Sequence, residues 1–191
     1  MHLLEPQRWI QTVITLHQIL IQSPTLEKIM SILADIFVFS YPIYLITLYS
    51  MWWIKKQISY KIASLRIFFN VIITTLINII IQSLFIKSRP NIILWFSDQK
   101  TETLLHKFLP SSSFPSDHAV VSMSIAIASL LWWISKNDKK YIIFGVILII
   151  FSLIMSFSRV SIAIHWPTDI LWGLLLWTII PLFLYWKKIS S

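Results

Sequence analysis

The chain has 191 residues, of which 57% are hydrophobic and 13% are charged, and its formal net charge at pH 7 is +8. Its apolar residues occur in long runs rather than in strict alternation, which is typical of a single membrane-embedded domain and not of a soluble protein that binds nucleic acid. Cysteine is absent and only two glycines occur, which excludes disulfides, thiolate metal sites and a glycine-rich nucleotide-binding loop.

The N-terminal segment, residues 1–27, differs from the rest of the chain. Glu5, Pro6 and Arg8 precede apolar residues at roughly helical spacing. The segment lacks the clean apolar core and the small-residue cleavage site of a secretory signal. We therefore predict an amphipathic helix that lies in the membrane interface, with a short additional span as the alternative.

Residues 28–191 contain five apolar stretches, each close to the ~20 residues that a helix needs to cross a bilayer. They lie at 29–54, 62–86, 115–134, 141–157 and 167–186. Lysines cluster after the first, third and fifth stretches. If successive helices alternate in direction, these clusters share one face, which the positive-inside rule makes cytoplasmic. The prediction is an all-α fold in one domain: a polytopic bundle of five transmembrane helices plus the interfacial helix.

Three polar blocks lie in the loops that this topology places on the opposite face, at 87–90, 114–118 and 158–169. Phosphoryl transfer needs cations for the phosphate oxygens, an in-line nucleophile and an acid for the leaving oxygen. The three blocks supply all of these groups, so together they predict one phosphate site. For any single block, polar capping of a membrane helix is the alternative. The loop from Asn91 to Ser113 is predicted to fold over the site as a lid.

The second block lies at a predicted helix start. Pro115 favours the first helical position, which places Ser113 near the N-cap. Ser116, Asp117 and His118 then fall in the first turn, where unpaired backbone N–H groups bind phosphate well.

The third block pairs a histidine with a carboxylate. Pro167 disfavours helical geometry at Trp166, so a helix boundary is predicted there, with Asp169 in the following first turn. The Asp169 carboxylate is expected to accept from one imidazole nitrogen of His165, which leaves the other nitrogen as a nucleophile. A metal-binding pair is the alternative, disfavoured by the fixed cations such as Arg159 nearby.

Three polar residues lie inside the predicted spans. Asp35, near the outer end of the first span, is costly there unless it is paired, and a role in or beside the site, snorkelling to the interface or an ion pair all fit. Asn70 and Asn78 are predicted to form hydrogen bonds between helices.

These motifs resemble the signature of the type 2 phosphatidic acid phosphatase (PAP2) superfamily. That signature has three parts: Lys, six residues, Arg-Pro; then Pro-Ser-Gly-His; then Ser-Arg, five residues, His, three residues, Asp. The third part is matched in full and the other two in part. The matching residues are Arg89, Pro90, Pro115, Ser116, His118, Ser158, Arg159, His165 and Asp169.

The resemblance implies a metal-independent phosphatase without a cofactor. His165 would attack phosphorus, and His118 would protonate the leaving oxygen and later activate water. Asp169 would orient His165. Arg89, Arg159 and the first-turn amides near Ser116 would bind the phosphate oxygens.

Two positions depart from the signature. Gln82 occupies the lysine position and supplies hydrogen bonds but no charge, so Lys87 is expected to provide that charge to the phosphate. Asp117 occupies the glycine position and would repel the substrate unless an arginine or lysine pairs with it.

The residue sequences of two motifs, Phe-Pro-Ser-Asp-His and His-Trp-Pro-Thr-Asp, most resemble those of the branch that hydrolyses undecaprenyl diphosphate. That resemblance implies a lipid substrate, the bilayer as partner, no nucleic acid, and a site facing the outside of a bacterial inner membrane. The alternatives are a phosphatase for lipid A, phosphatidylglycerol phosphate or phosphatidic acid, and a lipid phosphotransferase. A lipid-binding transporter is disfavoured, because the ionisable residues lie at one interface rather than at the midplane.

Overall fold

The computed structural model describes residues 5–96, 112–137 and 139–189. Within these ranges the chain is helical and no strand is present, which confirms the predicted all-α class. The helices are α1 (Gln7–Ile21), α2 (Pro24–Lys55), α3 (Ile58–Leu84), α4 (Pro90–Ile93), α5 (Asp117–Ser135), α6 (Lys139–Ser161) and α7 (Pro167–Ile189).

Four of these helices are long and apolar enough to cross a membrane among the residues described: α2, α3, α5 and the part of α6 at Tyr141–Ser161. The apolar part of α7, Pro167–Leu182, is shorter. The five predicted spans therefore correspond to α2, α3, α5, α6 and α7. Isoleucines on the outside of the bundle, such as Ile46 and Ile80, are exposed, as expected for side chains that face lipid.

Helix α5 is the central element of the bundle. Of its most apolar stretch, 67% is buried, far more than in the other spans, and α5 packs mainly against α6 and α7. Small side chains, among them Ala119, Ala126 and Ser129, let the neighbouring backbones approach closely. The hydroxyls of Ser122 on α5 and Ser152 on α6 lie 2.6 Å apart and form a hydrogen bond across this interface.

Helix termini follow local chemistry. Ser23 caps α2 by accepting from the Leu26 amide, and Pro24 occupies the first turn. The predicted boundary at Trp166 is confirmed, since α7 begins at Pro167. The predicted start of α5 at Pro115 was two residues early: the N-cap is Ser116, not Ser113.

The loop after α3 contains one short helix, α4, which the sequence did not predict. Its first residue is Pro90, and its cap Arg89 has an extended backbone. A residue directly before proline favours an extended backbone, so the sequence Arg-Pro sets the start of α4. The predicted lid includes residues 97–111, which lie outside the described part of the chain.

Helix α1 packs onto the bundle through one face. The buried residues on this face are Val13, His17 and Leu20. The helix as a whole contacts α6, α2 and α7. Its position relative to a bilayer stays a prediction.

We expect Gly145→Ala to weaken the α5–α6 interface. A Cβ atom on Gly145 would lie 2.9 Å from the Leu130 Cα, which is closer than van der Waals contact allows. The loss is about 1–3 kcal/mol of unfolding free energy, typical of overpacking. It opposes the gain of about 1 kcal/mol that alanine offers in a helix. The measurement is the thermal midpoint in detergent. Val146→Ala, at a 43% exposed neighbouring position, is the control, and equal midpoints for the two variants would contradict the prediction.

Candidate active site

The three polar blocks converge at one end of the bundle, as the sequence predicted. His118 lies in the first turn of α5, Arg159 in the last turn of α6, and His165 in the connection from α6 to α7. Backbone hydrogen bonds join the blocks: the Ser113 amide donates to the Lys87 carbonyl, and the Asn91 amide donates to the Ala163 carbonyl. The site is therefore built from segments that the fold brings together rather than from one continuous motif.

His165 is buried, with 2% of its surface exposed. Its Nδ1 lies 2.9 Å from the carbonyl oxygen of Ser113. A carbonyl oxygen only accepts, so Nδ1 carries the proton and Nε2 keeps a lone pair. Burial, followed by the positive charges of Arg159 and Arg89, lowers the pKa of His165 well below its ordinary value. The imidazole is therefore neutral at physiological pH, the state that a nucleophile requires.

Asp169 does not orient His165 by the direct hydrogen bond that the sequence predicted. Its Oδ2 lies 3.7 Å from the imidazole Nδ1, which is too long for such a bond. Instead Oδ2 accepts from the Ser113 hydroxyl and, at 2.8 Å, from the Trp166 amide. Asp169 thus acts on His165 through Ser113, whose carbonyl accepts a hydrogen bond from the imidazole Nδ1–H. Ser113, predicted only as a helix cap, is part of the site.

Lys87 was predicted to supply a cation to the phosphate, but the structure places its ammonium group against two carboxylates. Its buried Nζ lies 2.7 Å from Asp169 Oδ1 and 2.6 Å from Glu5 Oε2. The Thr168 hydroxyl accepts a further hydrogen bond from Nζ. The physical reason is that two buried carboxylates need a cation, and Lys87 is the cation within reach. Glu5 was missed because it precedes α1, in a segment that the sequence assigned to the membrane interface.

Gln82 and Asp117, the two departures from the signature, contact each other. The Gln82 amide donates to Asp117 Oδ1 at 3.0 Å, and Asn78 donates to the same oxygen at 2.6 Å. Gln82 also donates to the Pro115 carbonyl. Asp117 was predicted to repel the substrate unless an arginine or lysine pairs with it, and in the structure two side-chain amides bind it instead. Glutamine in place of lysine and aspartate in place of glycine therefore form a hydrogen-bonded pair, and a role for either side chain in phosphate binding stays a prediction.

Arg89 and Arg159 are buried and carry unused hydrogen-bonding capacity. Within the described residues, Arg89 Nη1, Arg159 Nε and Ser116 Oγ have no hydrogen-bond partner. Buried polar groups without partners are costly and rare in folded proteins, and where they cluster they indicate a ligand. Two guanidinium groups and a hydroxyl are suited to the oxygens of a phosphate. Phosphate binding by these three residues stays a prediction.

His118 lies at the open side of the site, with 26% of its side chain exposed. Its Nε2 is 3.0 Å from Arg159 Nη1 and 3.4 Å from Asp35 Oδ1. Asp35 also forms an ion pair with Arg159 Nη1 at 2.8 Å. Asp35 is therefore ion-paired, one of the possibilities left open for it, and its partners are two of the candidate site residues. Asn70 donates to Ser124 across the α3–α5 interface, as predicted.

The part of the chain that carries the three polar blocks matches a known protein family. Residues 63–189 match the sequence model of the PAP2 superfamily, and the chain belongs to that superfamily. The family resemblance drawn from the motifs is thereby confirmed.

Two curated relatives are similar to part of the chain. The putative undecaprenyl-diphosphatase YbjG of Escherichia coli (strain K12) is 38% identical over 63 residues, which are 33% of this chain and 28% of the relative. The undecaprenyl-diphosphatase BcrC of Bacillus subtilis (strain 168) is 37% identical over 86 residues, 44% of this chain and 40% of the relative. The matched regions thus span less than half of either relative. No solved structure matches the chain.

We expect Lys87→Met to destabilise the protein strongly. The substitution leaves Glu5 and Asp169 buried without their cation, and breaking a buried ion pair commonly costs about 3–5 kcal/mol. The thermal midpoint in detergent measures the loss. Lys28→Met, at an exposed position near the start of α2, removes the same charge without a buried partner and should leave the midpoint nearly unchanged. A wild-type midpoint for Lys87→Met would contradict this prediction. If that variant had also lost phosphate binding, Lys87 would be a phosphate ligand.

Proposed function

We propose that this protein is an integral membrane lipid phosphatase that hydrolyses undecaprenyl diphosphate to undecaprenyl phosphate and inorganic phosphate. The observation that carries the proposal is the state of His165: buried, neutral, and with Nδ1 already donating to the Ser113 carbonyl. Its Nε2 is left as the nucleophilic atom beside Arg89 and Arg159. An oriented neutral imidazole next to fixed cations is suited to in-line attack on a phosphate.

In the first step, Arg89, Arg159 and Ser116 bind the non-bridging oxygens of the terminal phosphate. Nε2 of His165 attacks phosphorus, a P–N bond forms, and the bond from phosphorus to the bridging oxygen breaks. The electron pair stays on that oxygen, and His118 supplies a proton to it as the lipid monophosphate leaves. The product on the enzyme is phosphohistidine.

In the second step, His118, now neutral, accepts a proton from water as the water oxygen attacks phosphorus. The P–N bond breaks and its electron pair returns to Nε2, so inorganic phosphate leaves and both histidines are back in their starting states. The low pKa of His165 favours this departure, because a less basic nitrogen is a better leaving group. In this scheme the arginines supply the charge stabilisation, and no metal ion or cofactor takes part.

The substrate assignment is supported by the position of the site and by the relatives. The site lies at one end of apolar helices, so a headgroup can reach it while a polyprenyl chain stays in the lipid. Both relatives are named as undecaprenyl-diphosphatases. We propose the bacterial inner membrane as the location, with the site on its outer face. Lipid A, phosphatidylglycerol phosphate and phosphatidic acid present the same phosphate chemistry and are the alternative substrates.

Phosphate release from a panel of these lipids by the purified protein tests the proposal. We expect the fastest release from undecaprenyl diphosphate, with no change when a chelator is added. His165→Ala should lower the rate by a factor on the order of 10³ or more, because no nucleophile remains. His17→Ala is the matched control, since His17 is also buried but stacks on Phe96 and belongs to none of the three polar blocks. Near-normal release by His165→Ala would refute the mechanism, and faster release from another lipid would replace the substrate.

The orientation can be tested with single cysteines, because the natural chain has none. Trp95, after α4, is 88% exposed, and Asn137, after α5, is also exposed. We expect a membrane-impermeant maleimide to label Trp95→Cys in intact spheroplasts. Asn137→Cys should be labelled only after permeabilisation, since the lysines cluster on its side. Labelling of both positions from the same side would contradict the proposed topology.

A further inference from the structure

Asp35 is a charged residue on an otherwise apolar helix, and it belongs to none of the three polar blocks. It lies on α2, outside the region matched by the family model, which begins at residue 63. A carboxylate on a membrane-spanning helix is costly and indicates a functional role by default. Its side chain is 63% exposed at the open side of the site, next to His118.

The contacts of Asp35 form a closed triangle. Oδ1 lies 2.8 Å from Arg159 Nη1 and 3.4 Å from His118 Nε2, and these two nitrogens are 3.0 Å apart. A guanidinium group only donates, so in this arrangement His118 Nε2 accepts from Arg159 and carries no proton. Such a histidine is not yet an acid. It becomes one only when Arg159 finds another acceptor and a proton is bound at Nε2.

We propose that Asp35 is a positioning residue that prepares His118 to act as the acid in the first step, an inference that rests on the proposed function. When a phosphate oxygen accepts from Arg159, Nη1 turns from His118 to the substrate. Nε2 then faces the Asp35 carboxylate, which stabilises the imidazolium and directs its N–H toward the open side, where the leaving oxygen lies.

Other charged groups around His118 do not take over this task. Asp117 precedes it on α5, but its Oδ1 already accepts from Asn78 and Gln82. Arg159, which contacts His118, carries positive charge, and the nearby His165 is neutral, so neither stabilises an imidazolium. Asp35 therefore supplies the negative charge that a protonated Nε2 needs.

The proton balance of the step is simple. The proton on Nε2 passes to the leaving oxygen as the P–O bond breaks, and Asp35 stays ionised throughout. In the second step the proton taken from water returns to Nε2, again beside Asp35. The carboxylate is neither consumed nor protonated, so its effect is confined to steps in which a proton moves through His118.

The test compares two soluble substrates that differ in how much the leaving group needs a proton: phenyl phosphate and p-nitrophenyl phosphate. Phenolate is a poor leaving group and needs the acid, whereas nitrophenolate leaves readily without it. The single-turnover rate of phenol or nitrophenol release isolates the first step. We expect Asp35→Asn to slow phenol release at least about tenfold more than nitrophenol release. Asp35→Glu should recover part of the difference.

Two controls make the comparison decisive. His118→Ala should show the same split between the substrates, and Glu27→Gln, the same change near the start of α2, should show none. Both rates come from one preparation, so their ratio does not depend on the fraction that is folded. An equal loss on both substrates, or no loss, would overturn the inference while leaving the phosphatase intact. A wild-type protein that releases no phosphate from any lipid or aryl substrate would overturn the proposed function, and the inference with it.

Discussion

The buried ion pair between Lys87 and Asp169 is the contact on which the rest of the site depends. It joins the loop after α3 to the first turn of α7, two segments 82 residues apart in sequence. The other oxygen of Asp169 then binds the Trp166 amide and the Ser113 hydroxyl. The Ser113 carbonyl accepts a hydrogen bond from Nδ1–H of His165. The ion pair, through Asp169 and Ser113, therefore sets both the position and the tautomer of the proposed nucleophile. Removing either charge leaves the other buried and uncompensated, which is why the pair is hard to replace.

Charge balance in a water-poor region organises the remaining groups. Four of the eight acidic residues of the chain, Glu5, Asp35, Asp117 and Asp169, lie around the site. Each of these carboxylates has a partner. Lys87 binds both Glu5 and Asp169, Arg159 binds Asp35, and the side-chain amides of Asn78 and Gln82 bind Asp117. Binding the carboxylates in this way leaves polar atoms of Arg89 and Arg159 without a partner among the described residues and available for an anion. The two arginines, together with burial, keep the proposed nucleophile His165 neutral.

Sequence reasoning succeeded where a structural feature follows from local hydrophobicity or from its place in a motif. The order of the apolar helices, the boundary before α7 and the convergence of three polar blocks were all predictable. The roles of His165, His118 and the two arginines were inferred from their chemical types, because few other residue types can do this chemistry, and these roles stay predictions. Asn70 and Asn78, as polar residues inside an apolar span, were predicted to form hydrogen bonds between helices, and both do so between α3 and α5.

Taken alone, the sequence determined the membrane bundle, the family and the residues able to perform phosphoryl transfer, since hydrophobic runs and reactive side chains are local properties. Only the tertiary structure decided which charge pairs with which. Lys87 lies close to Arg89 in the sequence, yet its ammonium binds Asp169 and Glu5. Asp35 and Arg159 are 124 residues apart and in contact. The partner of a buried charge depends on distances between helices, and those distances are fixed by packing around α5 rather than by any spacing along the chain.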